Sequence, residues 1–173
     1  VDGVLPLAVL RDRLAALATE QGIRTADDDT WSDIFSRILS ERVEPQLGCG
    51  RPTLLIDYPA SEAALARRKP DDPRFAERFE LYACGVELAN AFSELTDPQE
   101  QRRRFEADMD EKERIYGERY PIDEAFLAAL ALMPEASGCA LGFDRLVMLL
   151  TGARRIEDVL WTPMPRDEEE SRP

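Results

Sequence analysis

Histidine is missing altogether from the 173 residues. That excludes, within this chain, a histidine-ligated metal, a Ser-His-Asp triad and a Cys-His nucleophile pair, because each needs an imidazole as ligand or base. Cysteine is almost as scarce. Cys49, Cys84 and Cys139 form no CxxC or other metal spacing, and their odd number argues against a disulfide framework. A reducing, cytoplasmic compartment is therefore expected. No apolar run approaches the roughly 18 residues of a membrane span, so no membrane association is expected. The start, Val1 to Pro6, lacks the basic region that opens a signal peptide. An excess of positive charge is lacking too: 22 Lys and Arg against 35 Asp and Glu leave a net charge of −13. Nucleic-acid binders draw most of their affinity from basic surfaces that neutralise phosphates. This chain is thus poorly suited to grip tRNA or DNA by itself, and better matched to a basic protein partner or a cationic small molecule. Ordinary solubility is the plainer explanation of the same charge. No internal repeat is visible, and the absence of an initiator methionine at Val1 fits either methionine removal or a piece of something longer.

The length suits one domain, expected over residues 1–165 and followed by an acidic tail, 166–173, expected to be disordered. Apolar residues Leu7, Leu10, Leu14, Leu17 and Ala18 recur at helical spacing until Gly22. A second helix is predicted from Thr30 to about Val43, with Trp31, Ile34, Phe35, Ile38 and Leu39 inward and the Asp27–Asp29 cluster before it as its cap. Residues 53–58 read as a buried strand stopped by Pro59, and 59–74 as a loop with a short helical turn. Strands follow over 77–83 and 86–95, joined tightly at Cys84-Gly85. A charged helix runs from about Gln99 to Tyr116, with Phe105, Met109 and Ile115 its inward positions, and another from Ile122 to Leu132. Tight turns between strands, with helices grouped around them, imply an α+β domain: an antiparallel β-sheet flanked by helices.

Two blocks carry chemistry. In 138–152 (GCALGFDRLVMLLTG) a short strand meets Gly142, an aspartate suited to capping a helix (Asp144), and Arg145 in the first helical turn. A helix start already carries positive potential, so an arginine there is unfavourable by a few tenths of a kcal/mol unless an anion reverses the sign. A phosphate ligand would do so; a solvated surface arginine is the bland alternative. In 79–94 (FELYACGVELANAFSE), a two-residue turn at Cys84-Gly85 would set Ala83 opposite Val86 and Glu80 opposite Ala89. Glu80 and Glu87 would then share a face as diagonal neighbours, a pair suited to Mg²⁺ with substrate phosphates. Asn90, Phe92 and Glu94 have the other parity, so joining them to Glu87 in one site requires a bulge near Leu88–Ala89. An amide, a ring and a carboxylate so joined could grip an ammonium group. The alternative is a half-buried strand with solvated acids and Phe92 in the core.

These residues, with 58–66 (YPASEAALA), resemble the C-terminal part of the class II lysyl-tRNA synthetase catalytic domain over roughly residues 45–162. The branch most similar is that of the paralogues that attach β-lysine to elongation factor P. The resemblance implies that Glu80 and Glu87 hold Mg²⁺ against ATP and that Arg145 contacts the nucleotide in catalysis. It implies that Asn90, Phe92, Glu94, Ala140 and Gly142 line the amino-acid pocket, Glu94 pairing with a substrate amino group. The implied reaction activates lysine or β-lysine as an aminoacyl-adenylate and then passes the acyl group to elongation factor P. Ala140 stands where tRNA-charging relatives carry glycine, and this points to the elongation-factor branch, unless Ala140 merely packs the strand. The family's signature motifs 1 and 2 are not found, so about half of an active site is expected and activity of this chain alone is not. A fragment of a lysyl-tRNA synthetase acting on tRNA-Lys, and a non-catalytic binding module, are the alternatives; a homodimer is implied only for a full-length parent.

Overall fold

The computed structural model describes residues 7–163; the tail expected to be disordered lies outside them. Its helices are α1 (Leu7–Glu20), α2 (Trp31–Ile38), α3 (Pro98–Tyr116), α4 (Glu124–Leu130) and α5 (Phe143–Thr151). Its strands are β1 (Thr53–Pro59), β2 (Phe75–Ala83), β3 (Val86–Ser93) and β4 (Ser137–Leu141). The strands form one antiparallel sheet in the order β1-β2-β3-β4. The expected α+β architecture is present.

Local chemistry explains most of the boundaries. Thr30, not the Asp27–Asp29 cluster before it, caps α2: its hydroxyl accepts from the Asp33 backbone while Asp33 accepts from Thr30, a reciprocal capping box that leaves Asp29 to Arg37. Asp97 and Asp123 cap α3 and α4 with their carboxylates. The α2 helix ends at Ile38, and residues 39–43 continue in wider π winding. Between β2 and β3 the turn residues Cys84 and Gly85 have φ of 54° and 75°, as a type I′ hairpin requires. The tip of that hairpin docks on Gly48, whose carbonyl accepts from the Cys84 N–H at 2.9 Å. A Cβ at Gly48 would lie 2.6 Å from the Ala83 backbone, so only glycine permits this approach.

Packing departs from the sequence reading in three places. The β1 strand is not buried: Leu54 and Ile56 are 57% and 59% exposed, because β1 is an edge strand whose outer face nothing covers. On α3, Ile115 lies outside and Gln101 inside, reaching toward the Ala64 carbonyl with its amide. Asp144 does not cap α5; Gly142 occupies the cap position without a side-chain bond, and Asp144 lies in the first turn. Small apolar clusters replace one large core. One joins Ala18, Ile23 and Ile34; another joins Ala63, Ala66 and Ala76 against Phe92.

Candidate functional site

The β2–β3 ladder sets the site. Ala83 faces Val86 as expected, and Tyr82 faces Glu87, but Leu81 faces Ala89. Leu88 is therefore an extra residue on β3, a bulge at the position where a continuous site requires one. The shift also corrects the partner of Glu80, which is Asn90 rather than Ala89. Residues directly opposite in an antiparallel pair share a face. Arg78, Glu80 and Tyr82 of β2 therefore share one face with Phe92, Asn90 and Glu87 of β3. The β4 register adds Gly138 opposite Phe92 and Ala140 opposite Asn90.

Glu80 is the most enclosed charged member of this face, at 6% exposure. A buried carboxylate must be matched by donors, since removal from water is otherwise costly. Arg78 donates to its Oε1 at 2.6 Å, and the hydroxyls of Tyr58 and Tyr82 donate to Oε2 at 2.5 and 2.7 Å. Burial, then the bond to Glu80, pushes both phenols well above the usual tyrosine range, so they remain protonated donors. Arg78 also lies over the Tyr58 ring, 4.2 Å from its centroid, and donates to Asn90 Oδ1 at 3.2 Å and to the Glu62 carbonyl. One guanidinium thus links the carboxylate pair to the amide.

Arg145 projects from the first turn of α5 back onto β3. Its Nη1 donates to the Glu87 carbonyl at 2.9 Å and to Glu87 Oε2 at 3.1 Å. Both side chains remain partly open to solvent, at 44% and 35%, so the pair is a weak and exchangeable tether. The N–H of Gly142 donates to the Leu88 carbonyl at 2.8 Å, fixing the α5 start against the bulge.

Two cavities adjoin on this face. Glu80 and Glu87 line one of 550 Å³, together with Asp33, Arg37 and Tyr58. Asn90 and Phe92 line a smaller one of 180 Å³ formed with residues 62–66. Arg78 borders both. Segment 65–67 pairs with 93–95 through Arg67 N–H to Ser93 and Leu95 N–H to Leu65, which fixes Glu94 beside the smaller cavity. Glu94 is half-buried, and its carboxylate makes no hydrogen bond or ion pair among the described residues.

Every candidate from the sequence (Glu80, Glu87, Asn90, Phe92, Glu94, Ala140, Gly142 and Arg145) thus falls on or beside this face of β2, β3 and β4. The sequence reading missed Tyr58, Arg78 and Tyr82. For two of them the signal was present, as Arg78, Glu80 and Tyr82 alternate along one strand. Tyr58 joins them only through the β1 irregularity between Ile56 and Tyr58. The Mg²⁺ reading fits within limits. Three donors occupy Glu80, leaving about one of the four acceptor positions of a carboxylate, while Glu87 holds a single exchangeable arginine. No cluster of three or more acidic or cysteine ligands occurs among the described residues. The cysteines are free and exposed, and no described helix is long and apolar enough to cross a membrane.

Residues 38–166 match the family described as tRNA synthetases class II (D, K and N). The chain is 45% identical over 159 residues to an elongation factor P–(R)-β-lysine ligase of Haemophilus influenzae, covering 91% of this chain and 49% of that protein. It is 46% identical over 164 residues to the ligase of the same name from Proteus mirabilis, covering 93% and 50%. A lysine–tRNA ligase of Dehalococcoides mccartyi is 40% identical over 164 residues, covering 94% and 32%. The chain spans about half the length of the first two of these relatives and about a third of the last.

Proposed function

The chain belongs to the class II tRNA synthetases (D, K and N), and from that premise we propose that it carries part of the active site of an ATP-dependent ligase for lysine or β-lysine. The acceptor we assign is elongation factor P, in a cytoplasmic setting. The observation that carries the reading is a single sheet face with a free, half-buried carboxylate at one end and an exchangeable acid–arginine pair at the other. A ligand that is cationic at one end and reacts with a polyphosphate at the other matches that polarity.

In this reading Glu94 holds the ligand's ammonium and Phe92 flanks its chain. Asn90, whose carbonyl is occupied by Arg78, keeps its amide N–H groups for the ligand. Arg145 exchanges Glu87 for phosphate oxygens, neutralising charge as the amino-acid carboxylate attacks the α-phosphate of ATP and pyrophosphate departs, leaving the aminoacyl-adenylate. Glu87, and Glu80 through its remaining acceptor position, would hold Mg²⁺, which when bound neutralises the phosphates. The acyl group then passes to the acceptor, and AMP leaves. Ala140 opposite Asn90, and the higher identity to the elongation-factor ligases, favour that acceptor. The 40% identity to a lysine–tRNA ligase supports tRNA-Lys as the second reading.

Thermal-shift titration of this chain tests the site. Mg-ATP is expected to raise the melting temperature of the wild type and not of Glu87→Ala, and lysine to raise that of the wild type and not of Glu94→Ala. A wild type indifferent to both ligands would contradict the proposal. Transfer of labelled β-lysine by the full-length gene product to elongation factor P, rather than of lysine to tRNA-Lys, decides the acceptor.

A further inference from the structure

The inward positions of β4 carry almost no side chain: Gly138 faces Phe92 and Ala140 faces Asn90. At Gly138 the reason is visible. An ideal Cβ built there would stand 2.2 Å from Glu94 Oε1 and 3.4 Å from Glu94 Cδ, and no other heavy atom outside its chain neighbours lies within 4 Å. Its φ does not lie in the left-handed region, so the backbone does not call for glycine. What calls for it is the space. The Glu94 carboxylate fills the volume that any side chain at 138 would take, and the backbone behind it is held by the Glu94 N–H to Ala136 bond at 2.9 Å.

We propose that Gly138 is a specificity-determining position: by leaving this volume empty it lets Glu94 lie over β4 with its carboxylate aimed at the cationic end of the ligand. The inference rests on the amine-binding reading of Glu94. The contact is with the far end of a flexible side chain, so a methyl at 138 displaces the carboxylate rather than the strand. A displaced carboxylate loses its aim, and the site then stops distinguishing an ammonium-bearing side chain from an apolar one of equal length. A site built around a polar group discriminates strongly only while that group is held in place. The nucleotide end of the face, Glu87 with Arg145, is not in contact with Gly138 and is unaffected.

The probes are lysine and norleucine, which share a linear side chain and differ in the terminal ammonium, with binding to this chain read by calorimetry. Wild type is expected to prefer lysine, and Gly138→Ala to lose that preference about tenfold or more while keeping its far-ultraviolet spectrum and its Mg-ATP response. In the Glu94→Ala background the same substitution is expected to change the preference less than about twofold, because no carboxylate remains to be displaced. Wild-type preference retained in Gly138→Ala would overturn the role of Gly138 and leave the amine site standing. An equal loss in both backgrounds would also overturn it, as would failure of Gly138→Ala to fold, since the contact is then structural. A wild type with no preference would remove the amine site itself and the inference with it.

Discussion

The two faces of the sheet reverse the usual division of labour. On the site face, Glu80, Tyr58 and Tyr82 are charged or polar, yet buried to 6%, 4% and 2% exposure and hydrogen-bonded to one another. On the other face, Leu54, Ile56, Phe79 and Leu141 are apolar, yet 37–59% exposed. Globular domains normally bury the second kind and solvate the first. The difference teaches that fixed geometry on the site face is supplied by a polar network rather than by apolar packing. Such a network is rigid only while complete, because each missing partner strands a buried charge.

Removing the central cation should break the contrast most severely. Arg78→Met leaves Glu80 buried without its ion-pair partner, and a loss of about 3 kcal/mol is expected in urea denaturation; a loss below about 1 kcal/mol would show that the tyrosines alone suffice. Next in size, Tyr82→Phe and Tyr58→Phe each delete one hydrogen bond to a charged acceptor, at an expected cost of about 1.5–2 kcal/mol.

The pH dependence sharpens the same point. Folding holds both phenols protonated above their ordinary value of 10.0. Their contribution is therefore complete below about pH 10 and lost as pH climbs beyond it, where the unfolded chain releases protons that the folded one retains. Denaturation midpoints are expected to fall between about pH 8 and about pH 11, and to fall less in the double variant Tyr58→Phe/Tyr82→Phe. The absorbance of tyrosinate should show Tyr58 and Tyr82 titrating only as the chain unfolds. The smallest effect is expected on the open face. Ile56→Thr should alter stability by less than about 0.5 kcal/mol while reducing self-association in light scattering, as an exposed apolar patch predicts.

Much of this was legible in the sequence because it rests on local rules. The helix start at Thr30, the Cys84-Gly85 turn and the period-two alternation of β2 and β3 depend on neighbours within a few positions, although the cap of that helix is Thr30 itself and not the acidic cluster before it. The position of the bulge was legible too, but only as a demand: Glu87 and Asn90 could share a face no other way. What escaped was set by tertiary placement. The exposure of Leu54 and Ile56 follows from β1 lying at an edge, which no strand pattern encodes. Burial of Gln101 in place of Ile115 follows from where α3 meets residues 63–66. Tyr58 reached Glu80 across an irregularity in β1 that its own sequence does not announce, and Asp144 was mistaken for a cap because Gly142 begins the helix earlier.

The extra residue at Leu88 gives β3 two reading frames. Before it, odd-numbered positions address the cavity; after it, even-numbered ones do. Excising Leu88 would shorten the chain by one part in 173 and leave Glu87 and Asn90 two positions apart, still on one face by ordinary alternation. The loss would fall on α5 instead: the Leu88 carbonyl that accepts from the Gly142 N–H at 2.8 Å would go, and with it the bond that seats the Arg145 turn against β3.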